Sequence, residues 1–136
     1  MTPDERQKRI VRELLQFEDA HERLSYVQDR IKRSPALGTD QRIEVFRIQG
    51  CATPVWMVPS YHGGRCSFTL DSTSQMVRGL ASLIIEVYTE STPLEICEFQ
   101  SDVLAAAGLE RRITSTRLHG IAQLEAAIKR FAGSCL

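Results

Sequence analysis

At 136 residues, with 43% apolar and 25% charged side chains, the chain has the balance of a soluble globular protein able to bury a core without staples. Seventeen basic residues are matched by seventeen acidic ones, so the basic surface of a nucleic-acid binder is missing. The most apolar run, Leu80 to Val87, is broken by Ser82 and Glu86 and is no membrane span.

The opening Met-Thr-Pro-Asp-Glu has no apolar signal core and no Arg-rich transit character, so a single cytoplasmic domain over residues 1–136 is expected. Thr2-Pro3-Asp4-Glu5 reads as a helix start, with a hydroxyl cap, proline at the first helical position and Glu three residues after the cap. Ile10, Leu14 and Phe17 then share one face. A second helix is expected from about Asp19 to Arg33, on the spacing of Ala20, Leu24, Val27 and Ile31, and Ser34-Pro35-Ala36-Leu37-Gly38 should stop it.

Three strands are expected next. Ile43 to Ile48 is a β-type run whose apolar residues face both sides, which hints at a bulge or a doubly buried strand. Val55 to Val58 is the second, and Gly63-Gly64 punctuates the turn that follows. The third alternates cleanly, with Cys66, Phe68 and Leu70 inward. The remainder reads as helical. Ser72-x-x-Gln75 caps a helix bearing Met76, Val77, Leu80, Leu83, Ile84 and Val87, and Thr92-Pro93-Leu94-Glu95 opens a short one. A small helix from Asp102 ends at Gly108. Thr114-Ser115-Thr116 starts the last, lined by Ile121, Leu124, Ile128 and Phe131, with a frayed tail at Gly133 to Leu136. The order predicts an α+β fold: a three-stranded antiparallel sheet packed with several helices, mainly on one face.

Four cysteines, at 51, 66, 97 and 135, form no C-x-x-C pair, so zinc-ribbon and thioredoxin-type sites have no local support. Cys51 stands apart. It sits in Gly50-Cys51-Ala52-Thr53-Pro54, a turn where glycine permits a positive φ and a close approach by another molecule. A packed structural thiol is the ordinary fate of a lone free cysteine. Cys66 reads as core, Cys97 as inert and Cys135 as an exposed bystander able to attack a Cys51 adduct. Trp56 reads as a sheet residue under a helix, Arg78 as solvated or rimming a partner surface, Gly79 as a close-packing point, and His21, His62 and His119 as surface residues.

Ordered blocks carry more. Ile48-Gln49-Gly50-Cys51 precedes Val55-Trp56; Leu70-Asp71-Ser72 precedes Val77-Arg78-Gly79-Leu80; Val87-Tyr88 precedes Thr92-Pro93; and Ile113-Thr114-Ser115-Thr116-Arg117 leads to Gly120. Together they resemble the SufE family of sulfur-acceptor proteins, from about Glu22 to the final helix. The departures are Thr53 for serine, Ser115 for a frequent proline, His119 for a small polar amide, and Asp29-Arg30 for Leu-Gly. The resemblance implies a fold shared with IscU-type scaffolds and a persulfide carrier acting as a sulfurtransferase. In that role Cys51 takes sulfur from a PLP-dependent (SufS-like) cysteine desulfurase and passes it to a SufBCD-like iron–sulfur scaffold complex. It implies a supporting cation at Arg117, and no bound cofactor or metal of the chain's own. A shelter for the added sulfur is expected at Val55, Trp56 and Met57, the apolar run beside the cysteine. Two other readings stay open: a scaffold that itself holds a metal or cluster, and an activator of a desulfurase that carries no sulfur.

Overall fold

The computed structural model describes residues 1–32 and 37–136. The helix α1 spans Pro3–Leu14 and begins as its sequence demands. Thr2 Oγ1 accepts the Glu5 N–H at 3.2 Å, and Glu5 Oε1 accepts the Thr2 N–H at 3.0 Å. The helix α2 covers Ala20–Lys32. Of the expected stop signal, Ser34, Pro35 and Ala36 lie outside the described residues.

The first expected strand is not one. Residues Glu44–Phe46 form a single 3₁₀ turn, after which Arg47 makes an isolated antiparallel bridge to Trp56. The strands are β1, Val55–His62, and β2, Arg65–Ser72, so the sheet among the described residues has two antiparallel strands, not three. The reason lies in burial: Val45 is 78% exposed and Ile43 is exposed as well, so this β-branched run has no face to bury as a strand.

Met57 opposite Leu70, and Pro59 opposite Phe68, put one face of the hairpin against helices. Trp56 opposite Asp71 lies on the other face, so Trp56 does not pack beneath a helix; the Arg42 guanidinium stacks 5.4 Å from its ring centre. The helix α3, Gln75–Tyr88, is the hub and touches β2, α1 and α2. Its cap is Ser74, whose Oγ accepts the Val77 N–H at 3.3 Å, two residues beyond the expected Ser72. Gly79 gives close packing of α3 on α2, since a Cβ there would stand 3.0 Å from Val27 Cγ1.

Thr92 and Glu95 form a second capping box for α4, Pro93–Glu98, and α5 covers Val103–Ala106. The last helix, α6, runs over Ser115–Ser134 from the Thr114 cap and packs on α3 and α4. Its end is not frayed: helix continues to Ser134, and Cys135 packs half-buried against the core. The Asp29-Arg30 departure serves packing. Arg30 Nη2 meets Glu86 Oε1 at 2.7 Å and its Nε lies 3.8 Å from Glu13, tying α2 to α3 and α1, while Asp29 is exposed. No described helix is long and apolar enough to cross a membrane.

Because Leu83 is fully buried in the hub helix, Leu83→Ala should cost about 2–5 kcal/mol, whereas loss of the α4 cap in Thr92→Ala should cost about 1 kcal/mol. Urea denaturation of the two variants checks the ranking.

Candidate functional site

The turn carrying Cys51 is pinched at its base. The Ile48 N–H donates to the Val55 carbonyl at 2.8 Å, closing the excursion Gln49 to Pro54, and Ser72 Oγ donates to the Pro54 carbonyl at 2.7 Å. At the tip, Gly50 takes φ +85°, and a Cβ there would come 3.1 Å from Gln123 Cγ of α6, so both conformation and space call for glycine. The turn therefore lies down on α6 and does not project into solvent.

Cys51 is half-buried as a result. Its thiol donates to the Gly120 carbonyl with Sγ and oxygen 3.5 Å apart. A Cβ at Gly120 would sit 3.4 Å from Sγ, at van der Waals contact, so a side chain larger than alanine there would press on the thiol. Beside the sulfur is a cavity of about 30 Å³, walled by Val55, Val77, Ala81, Ile121 and Leu124, with Thr116 and Arg117 among its remaining lining. That volume exceeds the roughly 10–15 Å³ that one water requires, but the walls offer almost nothing for water to bond.

Two effects oppose each other on the thiol. Burial pushes its pKa above the ordinary cysteine value, and the positive charge of Arg47 pulls it back part of the way. A carbonyl acceptor also suits S–H better than a thiolate, since two electron-rich atoms would then face each other. The resting sulfur is thus held as a thiol, with a cation three residues before the tip to assist ionisation.

Arg117, the expected cation, is exposed in the first turn of α6, where its N–H donates to Thr114 Oγ1 at 3.2 Å. It borders the cavity, yet the cation felt by the resting thiol is Arg47. Arg47 was hidden in sequence because it belongs to a run that reads as a strand. The expected shelter is also redrawn. Val55 belongs to it, but Trp56 is on the far face of the hairpin and Met57 is outside the cavity lining; α3 and α6 supply the other walls.

Cys66 is fully buried and its thiol is pushed up to about 11, first by burial and then by the neighbouring Cys135 thiol, which marks it as core. Cys97 is exposed on α4, and Cys135, contrary to the bystander reading, is half-buried beside Cys66. Arg78 is not solvated: its Nε lies 3.4 Å from Asp71 Oδ1, with only 14% of the side chain exposed. His21, His62 and His119 are exposed. Among the described residues no three His, Cys, Asp or Glu side chains are grouped so as to hold a metal ion.

Compared with known proteins, residues 8–132 match the family described as SufE, Fe-S metabolism associated domain. The chain belongs to the SufE family. It is 27% identical over 128 residues to an uncharacterized SufE-like protein of Rhizobium etli, covering 90% of this chain and 86% of the other. It is 30% identical over 89 residues to an uncharacterized SufE-like protein of Synechocystis, a match of 65% of this chain that spans only 56% of the relative's length. A chloroplastic quinolinate synthase of Oryza sativa is 28% identical over 127 residues, which take up 18% of that protein and 89% of this one. The solution structure of a hypothetical protein from Thermus thermophilus superposes with a TM-score of 0.78 at 18% identity, over 98% of this chain and 97% of that one, and shares the α+β fold.

Alkylation of Cys51 should rise with pH to a midpoint above that of a free cysteine, because burial raises the pKa; Arg47→Ala should move the midpoint further up, since a charge that lowers it is lost. Mass-mapped iodoacetamide rates across pH check both signs. Gly120→Val should displace the thiol and raise its rate at fixed pH several-fold, as its larger side chain takes the space beside Sγ.

Proposed function

We propose that this SufE-family protein is a sulfur carrier in which Cys51 accepts persulfide sulfur from a PLP-dependent cysteine desulfurase of SufS-like type and delivers it for iron–sulfur cluster assembly. The observation that carries the reading is the mostly apolar cavity of about 30 Å³ beside Cys51, with room for an added sulfur. A thiol kept only for packing has no use for vacant space next to its sulfur, since close-packed interiors leave few such voids.

The chemistry is a displacement at sulfur. The Cys51 thiolate attacks the outer sulfur of the donor's Cys–S–SH, a new S–S bond forms on Cys51, and the donor cysteine leaves as thiolate. The proton on the outer sulfur travels with it, so no oxidant or reductant is consumed. Delivery repeats the step with Cys51 as the leaving thiolate, and a SufBCD-like scaffold complex is the recipient we assign.

This chain's residues supply three things to that exchange. Arg47 favours the thiolate as Cys51 leaves the Gly120 carbonyl. Arg117, on the cavity rim, is free to meet the developing negative charge on the sulfurs once the turn engages a partner. Between partners, Val55, Val77, Ala81, Ile121 and Leu124 keep soluble thiols from the outer sulfur. Exposed Val45 and Ile43, near the Cys51 turn in sequence, suit the contact with a larger protein.

Intact-mass measurement after incubation with a SufS-like desulfurase and free cysteine tests the reading. The expected result is a gain of one sulfur, removed by reductant and missing in Cys51→Ser. A desulfurase fully stimulated by Cys51→Ser, with no mass gain on the parent protein, would replace the carrier by an activator. Arg117→Ala should slow sulfur acceptance about tenfold, a loss of ~1.4 kcal/mol in the transfer step, without shifting the melting temperature.

A further inference from the structure

Asp71 is 1% exposed yet it is a carboxylate on the face of the hairpin that the helices do not cover. Its oxygens are fully engaged. Oδ2 accepts the Leu37 N–H at 3.1 Å and the Arg42 guanidinium through Nη2 at 2.5 Å and Nε at 3.1 Å. Oδ1 accepts the Ser72 N–H at 2.8 Å and faces Arg78 Nε at 3.4 Å. With Asp71 buried and the Arg42 side chain 35% exposed, the pair is weak evidence for stability in itself, because burial of the carboxylate works against the attraction. What the carboxylate does accomplish is geometric.

The chain enters the Cys51 turn through residues 37–48 and leaves it through Pro54. Asp71 fastens the incoming side by Leu37 and Arg42, and Arg42 is fixed a second time by stacking on Trp56. The next residue, Ser72, fastens the outgoing side by its 2.7 Å bond to the Pro54 carbonyl, while its own N–H is held by Asp71. One dipeptide at the end of β2 thus grips both flanks of the excursion that carries the thiol. Arg78, on the first turns of α3, braces the same carboxylate, and α3 also supplies two cavity walls, Val77 and Ala81.

We propose that Asp71 and Ser72, with Arg42, are positioning residues that hold the Cys51 turn down on α6 and so set how far the thiol is withdrawn from solvent. They touch neither the thiol nor the cavity. Their action on Cys51 is a matter of geometry alone, and only its consequence for a stored sulfur rests on the carrier reading.

The four cysteines provide the test without any added label. In Asp71→Asn, Arg42→Ala and Ser72→Ala, each thiol's iodoacetamide rate is followed by peptide mass mapping at one pH, with exposed Cys97 as the reactive reference and buried Cys66 as the reporter of global opening. The expected result is a Cys51 rate about tenfold above the parent, with Cys66 still protected, and a rate brought back toward the parent by Arg42→Lys, which keeps the charge. A Cys51 rate unchanged in the folded variants overturns the proposal. So does a Cys66 rate that climbs in step with that of Cys51, since the loss is then of the whole fold. Should Asp71→Asn not fold, Arg42→Ala and Ser72→Ala decide alone. In a second arm, protein loaded by a desulfurase should lose its sulfur to dithiothreitol faster in the same variants. Failure to load at all would count against the carrier reading and leave the alkylation result standing.

Discussion

Taking a thiol out of water makes it a weaker acid, and at Cys51 that penalty shapes everything around it. A sulfur that must be nucleophilic when a partner arrives is best exposed and near a cation. A sulfur that must hold an unstable adduct is best dry. In the proposed carrier the turn meets the second demand at rest, with Sγ lying against Gly120 of α6 and a mostly apolar hollow at its side. The first demand would be met, in the proposed carrier, when a partner draws the thiol off the Gly120 carbonyl, with Arg47 four residues away in sequence.

The elements of the fold fall into place around that requirement. The two-stranded hairpin provides a base from which the turn departs and to which it returns, closed by the Ile48–Val55 bond. The hub helix α3 and the long helix α6 meet the inner face of the hairpin, and the cavity lies where Val55, Ala81 and Leu124 fail to fill the space between them. Closed packing there would be more stable by the contacts it adds. In the proposed carrier that space is where the added sulfur would lie.

Local chemistry in the sequence announced the helices well. Thr2 and Thr92 with their partner glutamates, and proline at the first helical position, specify where the chain must turn into helix, and the structure follows at both. The run Ile43 to Ile48 failed because β-branched composition is a statement about fitting a half-buried surface, and here no such surface is offered to Val45. Cys51 was legible from its turn and from ordered neighbouring blocks. Its surroundings were not: Val77, Ala81, Ile121 and Leu124 obey helical periodicity whether they face packed core or a hollow, and periodicity cannot tell the two apart. Arg47 and Arg42 were missed for a related reason, since a charge gains its meaning from what the fold places beside it.

Asp71 shows how a directed polar interaction can settle what apolar packing leaves open. Apolar packing holds the hairpin, α3 and α6 together in any register that buries enough surface, but it does not dictate where an irregular segment such as residues 37–48 must lie. A buried carboxylate does, because its oxygens are costly unless they meet directed donors, and here Leu37 N–H and the Arg42 guanidinium meet at Oδ2. Directionality, supplied by charge and hydrogen bonds, fixes the route into the Cys51 turn, and the apolar wall then determines what that turn can hide.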